Sequence, residues 1–311
     1  AYLASAWRRV TIQRSDSGSS EWGNFYLGTS GTATVGYYAP GSTITMRFVR
    51  NTAFDMKERP QVGSIVIGSE SSLVGEDGKY SYTYTLPSGV KNDLAITASL
   101  KQTAWPVSIW LNTESIASLV ARRIDIASGS VIESVTNTGS GQTIYLRSGT
   151  TAEYLALVPT AKEHYVFDKW EKSNLTDRDG NAAHVQLTKG AAATVKAVGT
   201  RNDFLITGAS DRSSVCDVYM QDSSKSSAYY PKTVETNPVV VCKIKSAYAD
   251  QYRVASFTIG SQEGIEPQYN AAADLYYVEV VNRTDVTVTA HVVPTHFNLT
   301  VNVSPDNKAD F

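Results

Sequence analysis

The sequence predicts an all-β fold: three tandem antiparallel β-sandwich-like modules and one extra C-terminal strand. Three observations lead there. An aromatic residue opens a strand-like run four times, at Trp7, Trp105, Phe204 and Phe297, at intervals of 98, 99 and 93 residues, and self-similarity at a near-fixed period marks a repeat architecture. Ala98, Ala197 and Ala290 each end an alternating run seven residues before the next aromatic. The composition is rich in Ser, Thr, Val, Gly and Tyr, with 18 tyrosines against three methionines. β-branched and aromatic side chains suit a pleated, half-buried surface.

A chain of 311 residues is too long for one ordinary core. The period divides it into modules at 1–104, 105–203 and 204–296, with 297–311 as the first strand of a fourth unit or a strand donated elsewhere. Within each module the opening aromatic strand is followed by a Ser/Gly-rich turn, a tyrosine and a strong apolar strand at 43–49, 154–158 or 239–244. Ten residues after Ile44, Leu155 and Cys242 stands an aromatic, Phe54, Tyr165 or Tyr252, and two further on an apolar residue, Met56, Phe167 or Val254. The next strand reads most clearly at 62–67 and 254–259. A polar loop of variable length leads to the closing strands 94–98, 193–197 and 286–290, whose strict alternation puts one face in a core. That makes six or seven strands per module. One stretch breaks the pattern: Ile116, Leu119, Val120 and Ile124 are spaced as on a short helix over 115–126, stopped by Ser128-Gly129-Ser130.

The bulk properties exclude several functions. With 28 basic and 30 acidic residues, nothing favours nucleic acid or an anionic membrane surface. No apolar run reaches the ~18 residues of a membrane-spanning helix, and the N-terminus has no signal-peptide pattern. There is no His-Glu-x-x-His and no Gly-x-Ser-x-Gly, so no enzyme activity and no cofactor are expected. His291 and His296 read as solvated junction residues.

Val158-Pro159, Tyr165-Val166-Phe167-Asp168-Lys169-Trp170 and the closing strand 190–195 resemble a divergent B-repeat of bacterial surface proteins, the internalin or Listeria–Bacteroides type. The likeness covers about 145–200 best, is weaker over 239–292, where Phe257 stands at the Trp position, and is marginal over 43–100. Family glycines are absent before Tyr165 and before Trp170. The resemblance implies Ig-like or B-repeat-like modules in a secreted or surface-anchored bacterial protein, acting as spacers or adhesive units without catalytic residues.

Several residues are candidates for chemistry or contact. Cys216 and Cys242, the only cysteines, fall on two nearby inward positions and are expected to form a disulfide. Asp177, Asp179 and Asn181 outline part of a calcium loop, but Leu175 and Gln186 stand where acidic ligands belong, so a hairpin turn competes. Tyr80, Tyr82 and Tyr84 share one face of a strand and could form an exposed contact surface. Phe297, Leu299, Val301 and Val303 make an amphipathic strand with an unpaired edge, able to add to another sheet. The expected function is a structural and adhesive repeat segment, a stalk, fibre or layer subunit, extracellular or on the cell surface. Its partners would be other copies of itself or other surface proteins. Carbohydrate binding through the tyrosine strand, and a phage or virus structural role, are the alternatives.

Overall fold

A computed structural model describes residues 7–15, 20–54, 57, 59–69, 71–76, 78–148 and 152–296. The regular secondary structure of the described residues is almost all strand, with only three short 3-10 turns, Ser20–Trp22, Thr52–Phe54 and Ser246–Tyr248. None of their helices is long and apolar enough to cross a membrane. The chain divides into two compact units, Ala1–Lys162 with Phe167–Gly199, and Glu163–Val166 with Thr200–Phe311.

Unit one holds two hydrophobic cores. The first lies between strands β1 (Arg8–Arg14), β2 (Gly23–Leu27), β3 (Val35–Tyr38), β4 (Thr43–Arg50), β5 (Gln61–Ile67), β6 (Ser71–Val74), β7 (Ser81–Thr85) and β8 (Leu94–Lys101). They form one sheet in the order β3-β1-β8-β5-β6 and another in the order β2-β4-β7. Alternation does the sorting: Leu94, Ile96, Ala98 and Leu100 of β8 point inward while Ala95 and Lys101 are exposed. They meet Ile44, Met46 and Phe48 of β4 in one buried cluster. Gly23, at φ +128°, is required where β2 approaches β4, because a Cβ there would lie 2.2 Å from the Val49 carbonyl oxygen.

The second core is enclosed by β9 (Ala104–Leu111), β10 (Ile116–Asp125), β11 (Val131–Asn137), β12 (Gln142–Arg147), β13 (Glu153–Ala161), β14 (Tyr165–Ser173), β15 (Leu175–Arg178), β16 (Asn181–Leu187) and β17 (Ala193–Arg201). The sheets run β11-β10-β13-β16-β15 and β12-β9-β17-β14. Unit two contains the third core, from β18 (Asp203–Ser210), β19 (Cys216–Met220), β20 (Ser227–Pro231), β21 (Val239–Ile244), β22 (Tyr252–Ile259), β23 (Gln262–Ile265), β24 (Gln268–Asn270), β25 (Leu275–Glu279) and β26 (Val286–Pro294). Its sheets run β20-β18-β26-β22-β23 and β19-β21-β25-β24.

The all-β expectation holds, with three corrections. The helical spacing over 115–126 is a strand, β10. A bulge between Ile116 and Ser118 shifts its phase, so Ile116 and Leu119, three apart, both face the core and imitate a helix. Each core also has more than the six or seven strands expected, because loops read as polar connections form short edge strands such as β6, β15 and β23. The sheets, finally, are not purely antiparallel. In all three cores the first strand pairs in parallel with the last: β1 with β8, β9 with β17, and β18 with β26.

Candidate functional site

The feature shared by all three cores is that parallel pair. Val10 to Arg14 lie opposite Leu94 to Ala98, Val107 to Leu111 opposite Ala193 to Ala197, and Ile206 to Ser210 opposite Val286 to Ala290. The repeated Ala98, Ala197 and Ala290 are therefore the closing residues of equivalent ladders. Each is fully buried. With the first and last strands parallel, the chain enters a core at one end of the pair and leaves at the other. A pull on the two ends then slides the strands along each other, so the ladder hydrogen bonds are loaded together rather than one after another.

Unit one also contains an ionic seam. Arg59, just before β5, sits at φ +48°, in the left-handed region that costs a non-glycine residue energy. Its carbonyl accepts a hydrogen bond from the Thr103 hydroxyl at 2.7 Å. Its guanidinium reaches Glu153 at the start of β13, at 2.5 Å. Glu153, only 3% exposed, also lies 3.9 Å from Arg123 of β10 and accepts the backbone N–H of Arg147. Arg123 is fully buried, donates to the Tyr145 carbonyl at 2.6 Å and lies 3.3 Å from Glu133 of β11. Burial first, then the charge of Arg59, holds the Arg123 guanidinium below its ordinary pKa. The seam thus ties residues flanking the first core to the interior of the second. Sequence reasoning missed it because the helical reading of 115–126 hid the alternation Leu119, Ala121, Arg123, which puts an arginine on a core-facing position.

Unit two has a counterpart. His164, at φ +72°, offers its carbonyl to the Asn202 N–H at 3.1 Å. Its ring meets Asp203 at 2.5 Å and stacks on Tyr229 with centroids 3.7 Å apart. Arg201 bonds to both Asp203 and Asp285. The Leu205 N–H, followed by Arg201, holds the Asp285 carboxyl below its usual range. Thr103 and Asn202, the donors to the two left-handed residues, each stand two positions before an opening aromatic. So does Thr295, whose N–H donates to the Gln251 carbonyl at 2.8 Å. The aromatic period therefore also marks a repeated tie to a backbone carbonyl, donated by a side-chain hydroxyl at Thr103 and by backbone N–H groups at Asn202 and Thr295.

The candidate residues fare differently. The tyrosine platform is corrected: Tyr80, Tyr82 and Tyr84 do share a face, but it is the core face. Tyr82 is buried at 4% exposure, and Tyr80 and Tyr84 pack against the same cluster. Three rings on a strand facing an apolar interior bury more surface than they would exposed. Asp177 pairs with Lys172, Asp179 with Arg178, and the Asn181 side chain accepts the Ala183 N–H. Asp179 and Gly180 have φ of +54° and +70°, the geometry of a tight hairpin turn. Among the described residues no group of three or more His, Cys, Asp and Glu side chains is placed to hold a metal.

Cys216 and Cys242 are both buried free thiols. In the β19–β21 ladder Cys216 lies opposite Ile244 and Val218 opposite Cys242, so the two cysteines are diagonal neighbours on one face. The hydrogen bond from Cys242 holds the Cys216 thiol down to about 7, and the same contact, with burial, pushes Cys242 up. His291 lies in β26 rather than in a junction, with its side chain 38% exposed and bonded to Thr258 and Asp211. Phe297, Leu299, Val301 and Val303 lie outside the described residues.

No family model matches the chain, and no curated protein matches it. Solved structures that align with it include three bacterial proteins. The TIE protein of Bacillus anthracis is 7% identical with a TM-score of 0.28, covering 94% of this chain and 51% of that one. The open conformation of the pilus adhesin SpaC from Lactobacillus rhamnosus GG is 9% identical with a TM-score of 0.28, covering 94% and 44%. Two B repeat units of the collagen-binding protein CNA of Staphylococcus aureus are 8% identical with a TM-score of 0.19, covering 92% and 99%. The chain spans about half the length of the first two.

Proposed function

We propose that this chain is a load-bearing segment of a bacterial cell-surface or secreted protein, built from modules at 1–104, 105–203 and 204–296 in the manner of B-repeats. The single observation that supports this reading is the parallel pairing of first and last strands in each core, in equivalent five-residue ladders. A stalk or fibre subunit needs modules that resist tension along the chain. A terminal parallel pair resists it by shear, and recurrence in all three cores suits a chain pulled from its ends. The modules act as spacers or adhesive units, and their partners are other surface proteins or further copies of the chain.

Single-molecule force spectroscopy tests this. Pulled through its ends, the chain should unfold in three steps. Each step should need more force than unfolding the same core through attachment points that peel its last strand from its first. Equal forces in the two geometries would sink the proposal.

A further inference from the structure

One cluster of side chains on the β22–β26 ladder of unit two lies outside its hydrophobic core. The Oγ1 of Thr258 on β22 lies 2.7 Å from Nε2 of His291 on β26. Nδ1 of His291 lies 3.2 Å from Oδ2 of Asp211, in the turn after β18. The other oxygen of Asp211 accepts the Val292 N–H at 3.0 Å, which fixes the carboxylate. A carboxylate can only accept, so the neutral ring carries its proton on Nδ1 and presents Nε2 as acceptor to the threonine hydroxyl. This is the ordering of nucleophile, base and orienting acid by which a hydroxyl is activated, a constellation recognised by geometry and roles rather than by sequence position.

Two further observations separate it from an ordinary tie between strands. The group opens into a hollow of about 240 Å³ lined by Ser256, Thr258, Glu263, Gly264 and His291. And the fold does not require it. In the first core, the ladders β5–β8 and β1–β8 align Ser64 and Ile65 with Ser99 and Ala98, as Ser256 and Phe257 align with His291 and Ala290. The positions of Thr258, His291 and Asp211 are there held by Val66, Ser99 and Ser15, and that core closes without them.

We propose that Thr258 is a nucleophile that accepts a short acyl group from a neutral activated ester, with His291 as its base and Asp211 as a positioning residue. Thr258 Oγ1 attacks the ester carbonyl carbon while its proton passes to His291 Nε2. The new C–O bond forms, the bond to the leaving alkoxide or phenoxide breaks, and His291 returns the proton to that oxygen. The product is one acyl-threonine and one released alcohol or phenol. Glu263 at the rim and Asp211 behind the ring disfavour an anionic donor, and the small hollow limits the acyl chain.

The test is incubation of the intact chain with p-nitrophenyl acetate, followed by peptide mapping and nitrophenolate release. One acetyl group on Thr258 is expected. His291→Gln, which keeps the side-chain hydrogen bonds but is not a base, should slow it about 100-fold, in line with general-base effects. Thr258→Val, nearly isosteric, should abolish it with an unchanged thermal midpoint. Asp211→Asn should lower the rate while leaving the final stoichiometry at one. No adduct at Thr258, or acetylation there at the same rate in His291→Gln, overturns the assignment.

Discussion

Replacing Glu153 by Gln tests the ionic seam in unit one. The substitution keeps volume and removes one charge. Glu153 is 3% exposed and serves two guanidinium groups, Arg59 at 2.5 Å and Arg123 at 3.9 Å. Arg59 is 20% exposed, so water takes over part of its loss. Arg123 is fully buried and keeps Glu133 at 3.3 Å. Breaking a buried ion pair by removing one partner costs about 3–5 kcal/mol. The retained Glu133 and the exposure of Arg59 place this case at the lower end, about 3 kcal/mol. For a cooperative unit of unit one's size, that lowers the unfolding midpoint by roughly 6–12 °C. Differential scanning calorimetry of the full chain reads it directly, with the transition of unit two as internal reference. A double-mutant cycle with Arg59→Met isolates the pair. A midpoint shift below ~1 °C, or a coupling energy near zero, would show that the seam adds nothing, and the argument from burial would be wrong.

Other outcomes follow from the same geometry. Exposed to oxidant, Cys216 and Cys242 should join, closing a loop that stabilises unit two by about 3.5 kcal/mol in the chain-entropy model; full alkylation of the denatured, unreduced protein at both thiols would contradict this. Because Asp285 is held below its ordinary pKa, its contribution is present above the unfolded value near pH ~3.9 and is lost as pH falls through the lower folded value; Asp285→Asn should flatten the acid limb of unit two's stability profile, and an unchanged limb would count against the contact. Tyr82→Ala should destabilise the first core by about 3–5 kcal/mol, seen in urea unfolding, whereas a surface tyrosine would leave it within ~0.5 kcal/mol. Gly75→Ala should also damage that core, since its Cβ would lie 1.6 Å from the Val62 carbonyl oxygen; wild-type stability of this variant would mean that the backbone there yields freely.

What the sequence made legible was what repeats. The strands at 43–49, 62–67, 239–244 and 254–259 appear with small changes at their ends, because alternation and turn residues mark them locally. The equivalence of Ala98, Ala197 and Ala290 was readable too, but not its cause, since parallel pairing joins residues 80 or more positions apart and leaves no local signature. Arg123 was hidden by a bulge that copies helical spacing. The tyrosines were placed on the correct face and assigned the wrong side of it, because a row of amphipathic rings has the same spacing whether it meets solvent or core. His291 looked like a junction residue because its partners, Thr258 and Asp211, come from distant strands.

The parallel terminal strands also set how much chain each core holds in reserve. In the first core, β1 begins at Arg8 and β8 ends at Lys101, yet the pair occupies only the length of one strand, on the order of 30 Å at a rise of ~3.3 Å per residue. The chain between those ends, once extended, spans roughly 300 Å. A core that gives way under load therefore lengthens the chain about tenfold locally, dissipating work before tension reaches whatever is attached. Under the load-bearing function proposed above, such a core would be a fuse as well as a spacer: it would hold its length up to a threshold and then yield slack instead of breaking.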